Sequence, residues 1–376
     1  MCALARGGPV STSSRPVAIF VPSVRGGGAE RAMLMFAREL VTSGFPVDLV
    51  TTSFEGTLGE TVPKGVRVVD LKSAKTIYAL PRLVRYLRKR KPRALFSTIM
   101  NANIVAVWAA RFSGVNMPVI VRESNAPVST PKLSLSHRVI FRLAPYTYAH
   151  SNGVIAVSHG VAEELGIMAP SIRNKVHVVP TPVISDDVIR QGAMPVDHPW
   201  LVTKDKPVIL SAARLQKHKG FLTLLHAFKK LRERVDARLL VIGEGAYRSR
   251  IEKEIQDLQL SEHVSLHGFQ TNPFAFMSRA DAFVLASEFE GLPNVLVQAM
   301  AFGTPVVATD CRSGPSEILC GGRFGKLVPV GDVDALAAAL EQALNEPRQH
   351  AAQEHARRVY SAQSAAAAYR SLAGLH

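Results

Sequence analysis

Cysteine is scarce: Cys2, Cys311 and Cys320 are the only three in 376 residues. An odd number, with neither CxxC nor Cys/His metal spacing, excludes a disulfide scaffold and a zinc module and fits a reducing compartment. Long apolar runs are missing as well. No stretch of about eighteen residues is free of polar breaks, so no membrane span is expected. Nor does the chain open on a signal-peptide core, because residues 1–15 are small, polar and Gly/Ser-rich and read as a flexible tail. Acid is the third shortage. Lys and Arg number 45 against 30 Asp and Glu. The deficit is local: residues 1–190 hold 24 basic against 11 acidic side chains and residues 191–376 hold 21 against 19, so the halves carry +13 and +2 of the total +15. Such a surface suits nucleic acid, anionic lipid or a phosphorylated substrate. Without zinc-finger spacing or an aromatic RNA-reading pattern, nucleic acid ranks last.

What is present describes a globular α/β protein. Hydrophobic residues make up 47% and charged residues 20%, and the length allows two domains. Short β-branched runs alternate with helical periods. Val17–Val21, Val47–Thr51, Val66–Leu71, Ala94–Thr98, Val119–Arg122 and Val154–Ser158 read as strands, most followed by helices, which predicts a doubly wound parallel sheet. Between them, Ala32, Met33, Phe36, Ala37 and Leu40 keep the 3.6 period up to Gly44. The pattern dissolves into Pro, Asp and Gly after residue 184, and Val208–Ala212 opens a second alternating sheet. The expected domains are 16–190 and 207–350, with a linker over 191–206 and a helical end over 351–376.

Three stretches carry chemistry. Ser287 to Pro305 lies between the apolar strands Ala282–Ala286 and Val306–Ala308, so a crossover helix is expected there, started by Pro293 and stopped by Gly303. The amides of Asn294, Val295 and Leu296 then lack intrahelical partners and face the carboxyl edge of the sheet, and Glu290 sits on the loop just ahead. A carboxylate beside unpaired donors suits a polyhydroxylated ligand. Arg214 and Lys219 bracket a short loop after the Val208–Ala212 strand, a spacing that fits a diphosphate, with Arg binding bidentately and Lys as a point charge. Gly26-Gly27-Gly28 turns into the first helix and allows close approach of a phosphate. It is no dinucleotide fingerprint, because the glycine spacing fails and the next strand ends in Thr51-Thr52.

The stretch from Glu290 through Gly291, Leu292, Pro293 and Asn294 to Gln298 resembles the signature of retaining nucleotide-sugar glycosyltransferases of family 4, which have the GT-B fold. In that family two Glu residues bracket the helix, the first touching the donor hexose and the second the ribose. Glu290 matches the first, whereas Gln298 stands at the second. The Arg and Lys matching Arg214 and Lys219 hold the donor diphosphate in that family, and the turn at Gly27 and Gly28 is similar to one bordering diphosphate and acceptor. Leu239–Gly245, with Gly243 and Gly245, and Val264–Phe269, with Gly268 and Phe269, resemble segments lining the nucleobase pocket. Strands ending in Gly leave room for a flat base. Asp310–Ile318 resembles a stretch bordering the donor.

The resemblance implies two Rossmann-like domains facing a cleft, with the donor held mostly by the second. It implies transfer of a hexosyl group, with retention, from a nucleoside diphosphate sugar, of which a UDP-sugar is favoured, to a lipid-linked or cell-surface glycan. Many members place a His near Arg122-Glu123-Ser124-Asn125, and this sequence has none there, so no catalytic histidine is assigned. Asp332-Val333-Asp334 has DxD spacing but reads as a helix cap, so no metal or other cofactor is expected. The basic segments Tyr78–Lys91 and Lys132–Tyr148 suggest peripheral attachment to an anionic membrane on the cytoplasmic face. A soluble acceptor and a non-catalytic sugar-nucleotide binder stay open as alternatives. Oligomeric state has no signal in the sequence.

Overall fold

The computed structural model describes residues 15–24, 28–54, 62–124, 135–312 and 314–376, with residues 135–141 as backbone alone. The expected tail over 1–15 and Gly26, Gly27, Asn125, Lys132 and Ser313 thus lie outside the described residues, Arg15 excepted. The chain forms two compact units. One extends to Pro182 and also takes up Ala362–His376, and the other is Val183–Ser361.

The first unit is built on seven parallel strands: β1 (Val17–Ser23), β2 (Val47–Ser53), β3 (Val66–Asp70), β4 (Ala94–Thr98), β5 (Val119–Glu123), β6 (Gly153–Ala156) and β7 (Val176–Val178), in the order β3-β2-β1-β4-β5-β6-β7. Helices α1 (Gly28–Thr42), α2 (Leu80–Arg90), α3 (Met100–Ser113), α4 (Leu135–Ala149) and α5 (His159–Met168) connect them. β1, β4 and β5 are buried along nearly their whole length, which is why they read as continuous apolar runs rather than alternating ones. On α1, Met33, Phe36, Ala37 and Leu40 are buried as a stripe. His159 opens α5 behind Ser158, whose hydroxyl accepts from the Val161 N–H.

α2 buries Leu83, Tyr86 and Leu87. Tyr86 donates to Asp48 Oδ2 at 2.8 Å, and Arg90 Nε lies 3.2 Å from the same oxygen. Burial, then the Asp48 charge, pushes the Tyr86 phenol well above its ordinary range. Arg90 is therefore tied to the interior of its own unit and does not belong to the solvated basic face.

The second unit carries six parallel strands: β8 (Val208–Ala212), β9 (Arg238–Ile242), β10 (Val264–Gly268), β11 (Ala282–Leu285), β12 (Val306–Thr309) and β13 (Lys326–Val328), ordered β10-β9-β8-β11-β12-β13. Its helices are α6 (Asp186–Ala193), α7 (Pro199–Thr203), α8 (Phe221–Arg232), α9 (Arg248–Asp257), α10 (Pro273–Met277), α11 (Asn294–Met300), α12 (Pro315–Ile318), α13 (Val333–Leu344) and α14 (His350–Val359). Asp332 caps α13 by accepting from the Ala335 N–H at 2.9 Å.

The boundary between units falls at Pro182/Val183, so the stretch expected as a linker, 191–206, lies inside the second unit. Local capping explains the difference. Ser185 caps α6, and His198 Nδ1 accepts from Trp200 N–H ahead of Pro199 at the start of α7. α6 then packs so closely that a Cβ on Gly192 would lie 2.1 Å from the Phe302 ring. The C-terminal stretch also splits. α14 stays with the second unit, while α15 (Ala362–Leu372) packs on α1 of the first. Tyr369 meets Phe36 edge-on at 5.0 Å between centroids, and Phe36 meets Phe96 at 4.8 Å, contacts worth about 0.5–1.5 kcal/mol each beyond their buried area.

Candidate active site

Strand order positions the site. In the second sheet β8 and β11 are neighbours, and connections diverge from them in opposite directions, so a crevice opens at their carboxyl ends. The loop after β8 carries Arg214 and Lys219, and the loop after β11 carries Glu290. Backbone and side chains fasten the two together. Glu288 N–H donates to the His218 carbonyl at 2.8 Å, and the His218 ring stacks on Phe289 at 4.4 Å. Gly220, in the left-handed region at φ +66°, brings its backbone so near β11 that a Cβ there would lie 1.9 Å from Ala286 O.

This closure joins the two charged residues. Lys219 Nζ lies 2.6 Å from Glu290 Oε1, with the side chains 17% and 11% exposed. Ser287 Oγ donates to the same oxygen at 2.7 Å, and Thr309 Oγ1 donates to the Ser287 carbonyl at 2.5 Å. Burial and the neighbouring Lys219 charge hold the His218 imidazole below its ordinary range, so it is a neutral wall of the site near neutral pH. Burial and the Glu290 charge push the Cys311 thiol up to about 12, which makes it an inert side chain beside the carboxylate.

The signature segment departs from expectation at two points. Pro293 is the N-cap of α11 (ψ 93°) rather than part of its first turn, and its carbonyl accepts from Leu296 N–H at 3.0 Å. Leu296 N–H is therefore not among the unpaired amides. Gly291 and Pro293 are braced from behind by Gly314, where a Cβ would meet Pro293 Cδ at 2.6 Å and Gly291 O at 2.8 Å. Leu292 is buried, and Asn294 and Gln298 are half-buried, four positions apart along α11. Asn294 Oδ1 is buried with no hydrogen-bond partner among the described residues.

Arg214 is exposed at the start of its loop. Gly243 and Gly245 have no room for a side chain. A Cβ on Gly243 would lie 2.0 Å from Ala213 O, and one on Gly245 would lie 2.2 Å from Leu215 O. Their lack of side chains lets the Arg214 loop lie against β9, where Leu215 N–H donates to Glu244 O and Tyr247 N–H to Leu215 O. Gly268 is less crowded, and Phe269 is 54% exposed at the end of β10.

In the first unit the corresponding switch point lies between β1 and β4. Gly27 is outside the described residues, and Gly28 is the first residue of α1. After β4, Ile99 sits at φ 73°, ψ 126°, a strained conformation for a β-branched residue. Periodicity carries no sign of this. Next to it, Arg122 is fully buried and donates to Tyr369 Oη, Thr98 Oγ1 and Thr181 Oγ1 at 3.0, 3.2 and 2.8 Å. Glu123 accepts from Asn103 Nδ2 at 2.9 Å and from the Tyr148 hydroxyl, and burial pushes its carboxyl up to about 7. Ser287, His218, Phe289 and Arg122 were not singled out from the sequence. Their roles depend on contacts between loops, which spacing does not encode.

Two parallel Rossmann-like sheets with this site define a GT-B protein. Solved structures share the fold: HepE of Anabaena in complex with UDP superposes with a TM-score of 0.77 at 17% identity, over 95% of this chain and 98% of that one. The family model for glycosyl transferases group 1 matches residues 197–360, and that for glycosyltransferase family 4 matches residues 26–187. The chain belongs to this glycosyltransferase family. An uncharacterized glycosyltransferase of Methanocaldococcus jannaschii is 28% identical over 64% of this chain and 61% of its own length. The N-acetylgalactosamine-N,N'-diacetylbacillosaminyl-diphospho-undecaprenol 4-alpha-N-acetylgalactosaminyltransferase of Campylobacter jejuni is 30% identical over 67% of each chain.

Proposed function

We propose that this glycosyltransferase moves a hexosyl group, with retention, from a nucleoside diphosphate sugar, a UDP-sugar by preference, to a lipid-linked or cell-surface glycan. The observation that carries the reading is the Lys219–Glu290 pair at the β8/β11 switch point. The donor diphosphate lies against Arg214 and Lys219, the hexose hydroxyls against Glu290 and the ribose near Gln298. As the anomeric carbon–phosphate oxygen bond breaks, the negative charge on the leaving diphosphate is met by the two cations, in place of a metal. The acceptor oxygen bonds to the anomeric carbon on the same face, and its proton passes to a phosphate oxygen of the departing diphosphate, so no separate base is needed. HepE, bound to UDP, supports the choice of nucleotide, and the Campylobacter relative, whose name includes a diphospho-undecaprenol acceptor, supports a lipid-linked one.

A thermal-shift panel of UDP, GDP and ADP and their sugars tests the donor, because a ligand bound to the folded state raises the melting temperature. Stabilisation by a UDP-sugar, with chelator-resistant transfer and an unchanged anomeric configuration in the product, is the expected outcome. No shift with any nucleotide would remove the donor assignment. Attachment at the cytoplasmic membrane face, through the +13 half of the chain, completes the reading. No helix among the described residues is long and apolar enough to cross a membrane.

A further inference from the structure

We infer that the α2–α3–α4 face of the first unit is a bilayer-docking surface, on which exposed aromatic rings enter the lipid interface while a neighbouring cationic groove takes phosphate headgroups. This rests on the lipid-linked acceptor reading and gives it a location. α3 packs between α2 and α4. None of the three helices contains an Asp or Glu, while they carry five, one and two Lys or Arg respectively, of which Arg90 is turned inward to Asp48 and leaves four on α2 for the outer face. A charge distribution of one sign across three adjacent helices complements an anionic surface.

Apolar rings stand on the same face. Trp108 of α3 stacks on Phe112 at 5.7 Å and on Tyr146 of α4 at 6.0 Å, and Phe112 and Tyr146 are 54% and 62% exposed. Trp108 Nε1–H donates to Thr147 Oγ1 at 3.2 Å, so its polar edge is satisfied within the protein. Leu143, one turn before Tyr146, is 47% exposed. An exposed cluster of this kind costs solubility unless something covers it, and amphipathic Trp and Tyr rings favour the headgroup region of a bilayer.

The groove is continuous with the rings through Arg88. It is an open groove of about 520 Å³ lined by Arg15, Arg88, Lys91 and the turn Ser113–Asn116, with no carboxylate among the described lining residues. Arg88 donates to Phe112 O at 2.8 Å and Ser113 O at 3.4 Å, and Arg15 to Lys91 O at 2.5 Å and Pro92 O at 3.1 Å. These neutral acceptors fix the guanidinium groups at the rim without cancelling their charge. A phosphate-bearing headgroup supplies the missing anion.

Trp108 itself can report the contact. With Trp200→Phe, Trp108 is the single tryptophan of the chain. On phosphatidylcholine vesicles containing phosphatidylglycerol with brominated acyl chains, Trp108 emission is expected to be quenched, and pure phosphatidylcholine vesicles should bind weakly. Co-sedimentation of the unsubstituted protein should agree and fall as salt rises to about 0.5 M. Arg88→Ser and Lys91→Ser should each lower partition roughly fivefold, and Phe112→Ser should abolish quenching, all with unchanged thermal stabilisation by UDP in the second unit. Binding without Trp108 quenching, equal partition onto neutral vesicles, or binding to RNA but not to vesicles would overturn the surface. Turnover on a soluble acceptor without vesicle binding would overturn it and leave transfer standing. Vesicle binding without turnover on any acceptor would support this surface and count against the transfer reading.

Discussion

Lys219 and Glu290 form one charge-neutral unit: the ammonium lies 2.6 Å from the carboxylate oxygen, and both side chains are largely withdrawn from water. A diphosphate arriving at Lys219 must therefore compete with a carboxylate already in place. Glu290→Gln removes that competitor while keeping the shape and the contact with Ser287. Calorimetry should find UDP bound at least as tightly as in the parent, while transfer falls by roughly 10²-fold or more. Weaker UDP binding, or turnover close to the parent's, would show that the pair is structural only.

Lys219→Ala and Arg214→Ala should each weaken UDP binding by about 1–3 kcal/mol, the range for hydrogen bonds to charged groups. Their effects on stability should differ. Arg214 is exposed, whereas loss of Lys219 leaves the sheltered Glu290 without its ammonium. Melting curves should show the larger drop for Lys219→Ala, partly reversed in Lys219→Ala with Glu290→Ala. Equal drops would place the pair in free solvent.

Gly220→Ala separates backbone strain from loop closure. At Gly44, with φ +82° and nothing within 4 Å of a built Cβ, alanine meets only the left-handed penalty of about 1–2 kcal/mol. At Gly220 the same penalty adds to a Cβ 1.9 Å from Ala286 O, so the loop must move away from β11. Gly220→Ala is expected to be the less stable variant and to lose UDP affinity, and Gly44→Ala to keep it. Matching UDP affinities would mean that the two loops need not be clasped.

The two units should respond to acid in opposite directions. Glu123 is raised to about 7, so the folded first unit holds its proton more tightly than the unfolded chain does. Its contribution is complete below the ordinary Glu range and is lost as pH rises through 7. In the second unit, burial and then the nearby His267 lower His198 to about 4, so protons bind the unfolded chain more tightly between there and the ordinary value of 6.5. That unit should lose stability as pH falls across this window. Calorimetry from pH 4 to 8 should resolve the opposed trends, and Glu123→Gln should flatten the first. Parallel trends would remove these two groups as the cause.

The sheets were readable because parallel strands buried on both faces must be apolar throughout, as in Val17–Val21 and Val208–Ala212. Glu290, Arg214 and Lys219 were readable because loop position and charge suffice to nominate them. Their mutual contact was not, since it depends on β8 and β11 lying side by side across more than sixty residues of chain. Gly243 and Gly245 carry a second demand that spacing does not reveal. A glycine at a strand end looks the same whether it makes room for a ligand or for a neighbouring backbone, and here the backbone of Ala213–Leu215 lies where a side chain would stand. The unit boundary was misplaced because α6 and α7 owe their order to single capping residues, Ser185 and His198, which leave almost no periodic trace.

Arg122 and Tyr369 are 247 residues apart in the chain, yet the phenol oxygen receives the Arg122 Nε–H inside the first unit. Synthesis proceeds in one direction, so β5 leaves the ribosome long before the helix that completes its surroundings. Until then one face of α1, Phe36 included, lacks its cover, and a guanidinium destined for the interior lacks one of its hydroxyl acceptors. The second unit, contiguous in sequence, can close first. The first unit is thereby complete only once Ala362–Leu372 is in place, and a chain cut before Ala362 would leave the Phe36 flank of α1 open.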